Sequence, residues 1–371
     1  MKILVTGASG FVGKNLCSQL HNLGYEVFMY DRDDSHETLK EYTRICDSVI
    51  HLAGVNRPQD SKEFYEGNFG FTETLCHYLQ EANNKAPLII SSSIQATLDN
   101  DYGKSKREGE AVVLEHGQSN GSSVYIYRFS NLFGKWCRPF YNSVVATWCH
   151  QIAHGETIQI NDENVVLTLE YIDDVVSELI RCINGTPNIT EKSDYLCEVP
   201  VNETITLGAL ARLIESFKAS RETLHVPNMA DPFTKKLYST YLSYLPKDQF
   251  SYELLSHTDE RGSFTEFLKS SDRGQVSINV SKPGITKGQH WHHTKNEKFL
   301  VVSGVGCIQF RDIYTEEVIE YNVTGTKLEV VDIPVGYTHN IINTGNEDLI
   351  TVMWVNEVFD PENADTYYLE V

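Results

Sequence analysis

Basic residues are scarce in this chain. Its 371 residues carry 31 Lys and Arg against 51 Asp and Glu, a formal net charge of −20 at pH 7. Nucleic acid and anionic membrane surfaces both demand a cationic patch, so neither is an expected partner. A small anionic ligand needs only local donors and stays open. No apolar run reaches the roughly 18 residues that cross a bilayer. No secretory signal is evident, because the first apolar segment is a short strand that runs into glycine. The eight cysteines form no C-x-x-C pair and lie scattered in apolar stretches. That is the usage of buried free thiols in a reducing compartment, so a cytoplasmic location is expected. The 41% apolar content is that of a soluble globular protein. The length exceeds what one core holds, so two domains are expected.

What the chain does have starts at GASGFVG, Gly7 to Gly13, directly after Ile3-Leu4-Val5. Strand, tight glycine turn and helix in that order lay a dinucleotide pyrophosphate on a helix N-terminus. Gly7 allows the turn, Gly10 admits a phosphate, and Gly13 lets the helix pack on the strand. Ser9, Phe11 and Val12 complete this cofactor loop, and the helix is expected to stop at Gly24. Apolar runs at 2–6, 26–30, 48–53, 87–91 and 124–129 alternate with helix-like segments. Such runs suit strands covered on both faces, which predicts an α/β, doubly wound parallel sheet. The second run ends in Asp31-Arg32, with Asp31 31 − 13 = 18 residues past the last glycine. Its carboxylate suits the ribose of NAD, whereas Arg32 suits the 2′-phosphate of NADP, and both stay open. The third run ends in Leu52-Ala53-Gly54, small enough for a ligand to lie close, though a plain turn explains each residue as well.

The fourth run ends in Ser91-Ser92-Ser93, and nine residues later comes Tyr102-Gly-Lys-Ser-Lys106. Tyr102 and Lys106 are four apart and share a helix face. A nearby ammonium lowers a phenol's pKa, and a phenol so tuned passes a proton to a carbonyl oxygen as hydride reaches carbon. Ser93 donates to the same oxygen, although the triple serine leaves open whether Ser92 or Ser93 is the working hydroxyl.

These segments, with Tyr127-Arg128-Phe129-Ser130-Asn131-Leu132-Phe133-Gly134 and Tyr171-Ile-Asp173-Asp174-Val175, resemble extended short-chain dehydrogenases/reductases acting on sugar nucleotides. The resemblance covers about residues 1–245. It implies Ser93, Tyr102 and Lys106 as the catalytic set, with Lys106 also touching the nicotinamide ribose. It implies that Arg128, Asn131 and the residues beyond face the sugar nucleotide. The interval from Ser93 to Tyr102 is shorter than usual in that family. Trp136, Arg138, Tyr141 and Trp148 fall in the variable part, where core packing explains them equally well.

From about 251, short β-type segments take over, which predicts an all-β barrel or sandwich over 246–371. Within it lie Gly284-Ile-Thr-Lys-Gly-Gln-His290-Trp-His292-His-Thr-Lys-Asn-Glu297 and Pro334-Val-Gly336-Tyr-Thr-His339-Asn-Ile-Ile-Asn343. His290 and His292 alternate on a strand and point inward together, while Trp291 and His293 point out. Glu297 opens the next strand, and His339 is expected from a strand across the barrel. Three imidazoles and a carboxylate leave room for water on a divalent metal; zinc, manganese, iron and nickel all suit. The two stretches resemble the motifs of the cupin superfamily, with the upstream glycine of the second displaced to Gly325. The resemblance implies His290, His292, Glu297 and His339 as the metal ligands. A base such as Tyr337 is conceivable.

Both halves in this order resemble capsular-polysaccharide synthesis enzymes that fuse an extended reductase to a C-terminal cupin. The resemblance implies a bifunctional catalyst on a UDP-2-acetamido-2,6-dideoxy-hexos-4-ulose, en route to UDP-N-acetyl-L-fucosamine. The cupin epimerises ring position 3 and the first half reduces the 4-ketone with NADPH. Zinc in the cupin and a homodimer are implied as well. Two other readings compete: an NAD-retaining epimerase or dehydratase with a purely structural cupin, and a non-enzymatic nucleotide sensor.

Overall fold

The computed structural model describes residues 1–56, 60 and 62–371. The chain divides into two compact units, residues 1–215 with 236–246, and residues 216–235 with 247–371. Hydropathy patterning alone assigns 216–235 to the first domain. Main-chain bonds from Val226 N to Lys269 O and from Lys269 N to Leu224 O, both 2.8 Å, tie it into the second unit.

The strands of the first unit are β1 (Lys2–Thr6), β2 (Glu26–Tyr30), β3 (Ser48–His51), β4 (Leu88–Ser93), β5 (Val124–Phe129), β6 (Asn131–Phe133), β7 (Val166–Tyr171), β8 (Leu196–Cys197) and β9 (Glu203–Thr206). Six of them form one sheet in the order β2-β1-β3-β4-β5-β8, and each pairing is parallel. Alternation along each strand feeds two cores. Ile3, Val5, Ile50, Ile89 and Tyr127 pack under the helices Phe11–Asn22 and Ile172–Ile183. Leu4, Val49, Leu88, Ile90 and Ile126 pack under His36–Ile45, Phe71–Glu81 and Asp101–Asn120. This is the doubly wound arrangement expected. The chain leaves β1 for β2 on one side and returns to β3 on the other, so the order reverses between β1 and β3. In open α/β sheets that switch point is where the crevice for a ligand opens. A smaller sheet, β6-β7-β9, flanks the first.

The second unit contains β10 (Ser256–Asp259), β11 (Gly262–Ser270), β12 (Gly274–Ser281), β13 (Thr286–Trp291), β14 (Glu297–Ser303), β15 (Val305–Asp312), β16 (Val318–Thr324), β17 (Val330–Ile333), β18 (Tyr337–Asn343), β19 (Leu349–Val355) and β20 (Tyr367–Tyr368). They build two antiparallel sheets, β10-β11-β12-β19-β14-β17 and β16-β15-β18-β13-β20. Phe299, Val301 and Leu349 of one sheet meet Ile308, Phe310 and Ile341 of the other in a shared apolar core. The result is the cupin-like barrel that the sequence pattern predicts.

One buried charge on β7 sets a pH dependence. Glu170 is 8% exposed, and its Oε2 has no hydrogen-bond partner. Burial pushes its pKa up to about 7, an effect that the neighbouring Ser130 only partly opposes. The folded value lies above the unfolded one of about 4.3. Its stabilising contribution is therefore complete below that pH and is lost as pH rises to 7. Glu170→Gln is expected to unfold about 3–4 kcal/mol harder than the parent at pH 8 and equally at pH 4, read by denaturant titration.

Candidate active site and metal cluster

The glycine turn sits at the switch point. Gly7 has φ +69°, and a Cβ there would stand 2.7 Å from Ala53 N. A Cβ on Gly13 would stand 2.2 Å from Gly7 O, so strand, turn and helix close only without those side chains. The helix begins at Phe11, with Gly10 as its cap and no side-chain capping bond. Its first N–H groups therefore face the crevice unpaid by any side chain, a ready anion site. Phe11, Val12 and Leu52 pack half-buried against the core beneath. Asp31 lies at the end of β2 and accepts from Ser9 N at 3.0 and 3.1 Å. Arg32 beside it is exposed.

The face of the 101–120 helix toward β4 carries Tyr102, Lys106 and Glu110 at a spacing of four. Lys106 is 9% exposed; its Nζ lies 3.3 Å from Ser91 O and 5.9 Å from the centre of the Tyr102 ring. The absent Cβ of Gly54 would be 3.1 Å from the same Nζ. Burial brings the Lys106 pKa down to about 8, partly opposed by Glu110. Tyr102 donates to Asn56 Oδ1 at 3.0 Å. Contrary to expectation, the pKa of the Tyr102 phenol is raised: burial pushes it up, and the hydrogen bond with Ser93 only partly offsets this. The nearby Lys106 ammonium does not outweigh this burial.

Strand parity sends the two serines to opposite faces. Ser92 points into the helix and donates to Glu110 Oε1, whereas Ser93 faces the phenol. Glu110 also holds Arg128, from Arg128 Nε at 2.9 Å and Nη2 at 2.6 Å. Arg128, expected to face the sugar nucleotide, is held in a bidentate ion pair at the end of β5. Asn131 is exposed and donates to Thr168 O at 3.1 Å. Trp148 is core, 5% exposed, whereas Trp136 is 53% exposed.

Two further residues escape a motif search. Asn68 is 4% exposed; it bonds both ways to the Val55 backbone and donates to Ser105 Oγ at 3.0 Å. Glu110 was legible as the next step of the Tyr102–Lys106 period, yet nothing in the string says that it is buried.

In the second unit His290, His292, Glu297 and His339 bring one ligand atom each within 4.8 Å of one another. His290 and His339 are direct partners on neighbouring strands β13 and β18. His339 therefore comes from the adjacent strand, not from across the barrel; it is Glu297, on β14, that belongs to the other sheet. A bulge between Gly288 and His290, with Gln289 at φ +65°, aims His290 inward. His293 is exposed, as parity requires. Burial, then His339, brings His290 down to about pKa 4, so its ring is a neutral donor.

The orphaned atoms are the test of fit. His339 Nε2 lies 3.1 Å and His292 Nε2 3.6 Å from Glu297 Oε2. All three are buried without a hydrogen-bond partner. Buried imidazole nitrogens converging on a carboxylate oxygen suit a divalent cation, and the donor set of three nitrogens and one oxygen suits zinc among others. His292 Nδ1 donates to Asp365 O, which leaves Nε2 for the metal. The Asp365 carboxylate in turn accepts from the N–H groups of His293, Thr294 and Lys295 at 2.7–3.0 Å. No sequence motif points to Asp365, which lies 73 residues downstream of His292. Tyr337 packs against the apolar core.

The fold and these two sites define a nucleotide-binding unit of dehydrogenase type joined to a barrel with a metal-ligand cluster. The chain belongs to the NAD dependent epimerase/dehydratase family, which matches residues 3–196, and residues 257–367 match a polysaccharide biosynthesis C-terminal domain. It is 45% identical over 372 residues to UDP-2-acetamido-2,6-beta-L-arabino-hexul-4-ose reductase of Pseudomonas aeruginosa, covering 100% of this chain and 99% of that protein. Its structure is similar to that of the capsular polysaccharide assembling protein CapF from Staphylococcus aureus, with 55% identity, TM-score 0.94 and full coverage of both chains. The Thermus thermophilus UDP-glucose 4-epimerase is 19% identical with TM-score 0.52, over 59% of this chain and 84% of that one, a likeness of fold alone.

Glu110 is the keystone of the first site. Glu110→Ala strands a half-buried guanidinium and is expected to cost about 2–4 kcal/mol by denaturant unfolding. The Glu110→Ala/Arg128→Ala double variant is expected to cost less than the sum of the two single changes.

Proposed function

We propose that this chain reduces the 4-ketone of a UDP-linked 2-acetamido-2,6-dideoxy-hexos-4-ulose for capsular polysaccharide synthesis, and that its barrel first epimerises ring position 3. The observation that carries the reductase is the convergence of Ser93, Tyr102 and Lys106 at the carboxyl edge of the sheet, beside the glycine turn. Full-length likeness to a UDP-hexul-4-ose reductase supports the substrate class. Nicotinamide supplies the hydride. The Tyr102 phenol gives its proton to the ketone oxygen, and Ser93 donates a hydrogen bond to the same oxygen. The buried Lys106 holds positive charge next to the phenol as the proton leaves. NADPH is the proposed coenzyme: Asp31 is occupied by Ser9 N, while Arg32 stands exposed for a 2′-phosphate.

The chemistry explains why two sites share one chain. A ketone acidifies its neighbouring carbon–hydrogen bond, so proton removal and return can invert that centre. A divalent metal supplies positive charge for the oxyanion that develops. His290, His292, Glu297 and His339 would hold it, with Asp365 orienting His292. Reduction then removes the acidity and locks the configuration. A common chain keeps a labile intermediate at high local concentration. No described helix is long and apolar enough to cross a membrane, and a cytoplasmic homodimer is the proposed working form.

Tyr102→Phe is expected to lower NADPH oxidation by about 10²–10⁴-fold with coenzyme affinity unchanged; undiminished turnover would sink the reductase mechanism. His290→Ala/His292→Ala is expected to lose bound metal and deuterium exchange at ring position 3 in heavy water. Asp365→Ala is expected to weaken Zn2+ binding about 10–100-fold, read by competition with a chelator. Exchange that persists in metal-free protein would leave the metal a structural role.

A further inference from the structure

The inward face of β12 is polar where a barrel core should be apolar. Gln275, Ser277, Asn279 and Ser281 are each at most 4% exposed. The equivalent inward positions on β14 and β19 include Phe299, Val301, Met353 and Val355. Burying amides and hydroxyls costs free energy unless something hydrogen-bonds them. The first three of these polar residues line a cavity of about 790 Å3, which also takes in His290, Glu297 and His339. That volume lies within the roughly 300–1,000 Å3 of small-molecule sites.

Register fixes how this wall stands to the metal ligands. Gln275 pairs with Val355, which pairs with Glu297; Ser277 pairs with Met353, which pairs with Phe299. The polar column and the Glu297 carboxylate therefore flank the same floor, two strands and about 10 Å apart. Val355 and Met353 form the floor between them. A flat apolar floor with polar groups on two opposite edges is the shape complement of a hexose ring, which has apolar C–H faces and oxygens around its rim.

Donor accounting shows which groups remain for a ligand. Gln275 Nε2 gives one hydrogen to Ser277 Oγ at 3.0 Å. Gln275 Oε1 accepts from Phe359 N at 3.4 Å. Asn279 Nδ2 gives one hydrogen to Ser281 Oγ at 3.1 Å. Lys287 Nζ donates to Asn279 Oδ1 at 2.8 Å and to Val280 O at 2.8 Å, which locks the amide in place. Each amide has two N–H groups. One from Gln275, one from Asn279 and the Ser277 hydroxyl proton are left without a protein acceptor among the described residues.

We propose that Gln275, Ser277 and Asn279, with Lys287 fixing Asn279, form the subsite that grips the rim oxygens of the hexose ring of a sugar nucleotide. The ring lies on Val355 and Met353, and its opposite edge meets the imidazole and carboxylate cluster. This rests on the sugar-nucleotide reading above and assigns its second site.

The test uses the full chain loaded with Mn2+ as a paramagnetic probe and UDP-N-acetylglucosamine as a stable ligand. Relaxation enhancement of the sugar-ring protons reports sugar beside the metal cluster, independently of any turnover. Wild-type protein is expected to give a saturable enhancement. Gln275→Leu and Ser277→Ala are each expected to raise its half-saturation 5–50-fold, with Mn2+ stoichiometry and melting temperature retained. Thr351→Val, one strand away in the layer of Asn279, is expected to leave it within twofold. No enhancement in the wild type, or half-saturation unchanged in both wall variants, would overturn the assignment. Enhancement with this ligand, but no deuterium exchange at ring position 3 when a UDP-4-keto-6-deoxy-sugar is supplied in heavy water, would remove the epimerase reading and leave this subsite standing.

Discussion

The carbonyl oxygen of Gly7 sets a backbone constraint on which the first unit depends. A side chain on Gly13 would stand 2.2 Å from it, so the first helix can close on β1 only where that side chain is missing. The closure brings the unpaired N–H groups of the helix start to the edge where strand order reverses. Everything proposed for the coenzyme depends on that approach. The other sites use the same edge: Ser93 ends β4, Arg128 lies near the end of β5, and Gly54 follows β3. A parallel sheet sends its strand ends to one side, so a short list of strand-terminal residues becomes one crevice.

Charge is managed differently in the two units. In the first, Lys106 and Glu110 are both buried on one helix face, and each is held by partners on β4 and β5. Lys106 lies against a carbonyl, and Glu110 takes an arginine and a serine. The catalytic helix face is thus anchored to the sheet by charge-assisted bonds. In the barrel the buried carboxylate faces imidazoles without a shared proton. A divalent cation in the middle would balance that carboxylate, as the proposed metal site requires. Asp365 contributes at one remove, by fixing which nitrogen of His292 is free.

Much of the fold could be read before any coordinates. β1, β2 and β5 have the bounds that their apolar runs predict, because strands covered on both faces leave an unbroken signature. Edge strands were missed. β16 has only Val323 buried, and β10 is exposed along its length, so neither alternates clearly. Within the sites, the clustering of His290, His292, Glu297 and His339 was legible because strand parity and motif spacing are local. The state of the Tyr102 phenol was not, since it follows from burial and from where the lysine nitrogen ends up. The pairing of Arg128 was hidden for the same reason: its partner Glu110 lies 18 residues away in sequence and meets it only in the folded chain.

The linear string by itself determined a glycine turn that only a nucleotide-type crevice needs, a tyrosine and lysine on one helix face, and three histidines with one carboxylate at strand spacing. Each is a short-range pattern, set by helix and strand periods. Tertiary structure alone decided that Glu110 occupies Arg128, that Asp365 orients His292, that His339 pairs beside His290, and that the polar residues of β12 face a cavity and not solvent. Those outcomes depend on which distant strands become neighbours, and no local period carries that information.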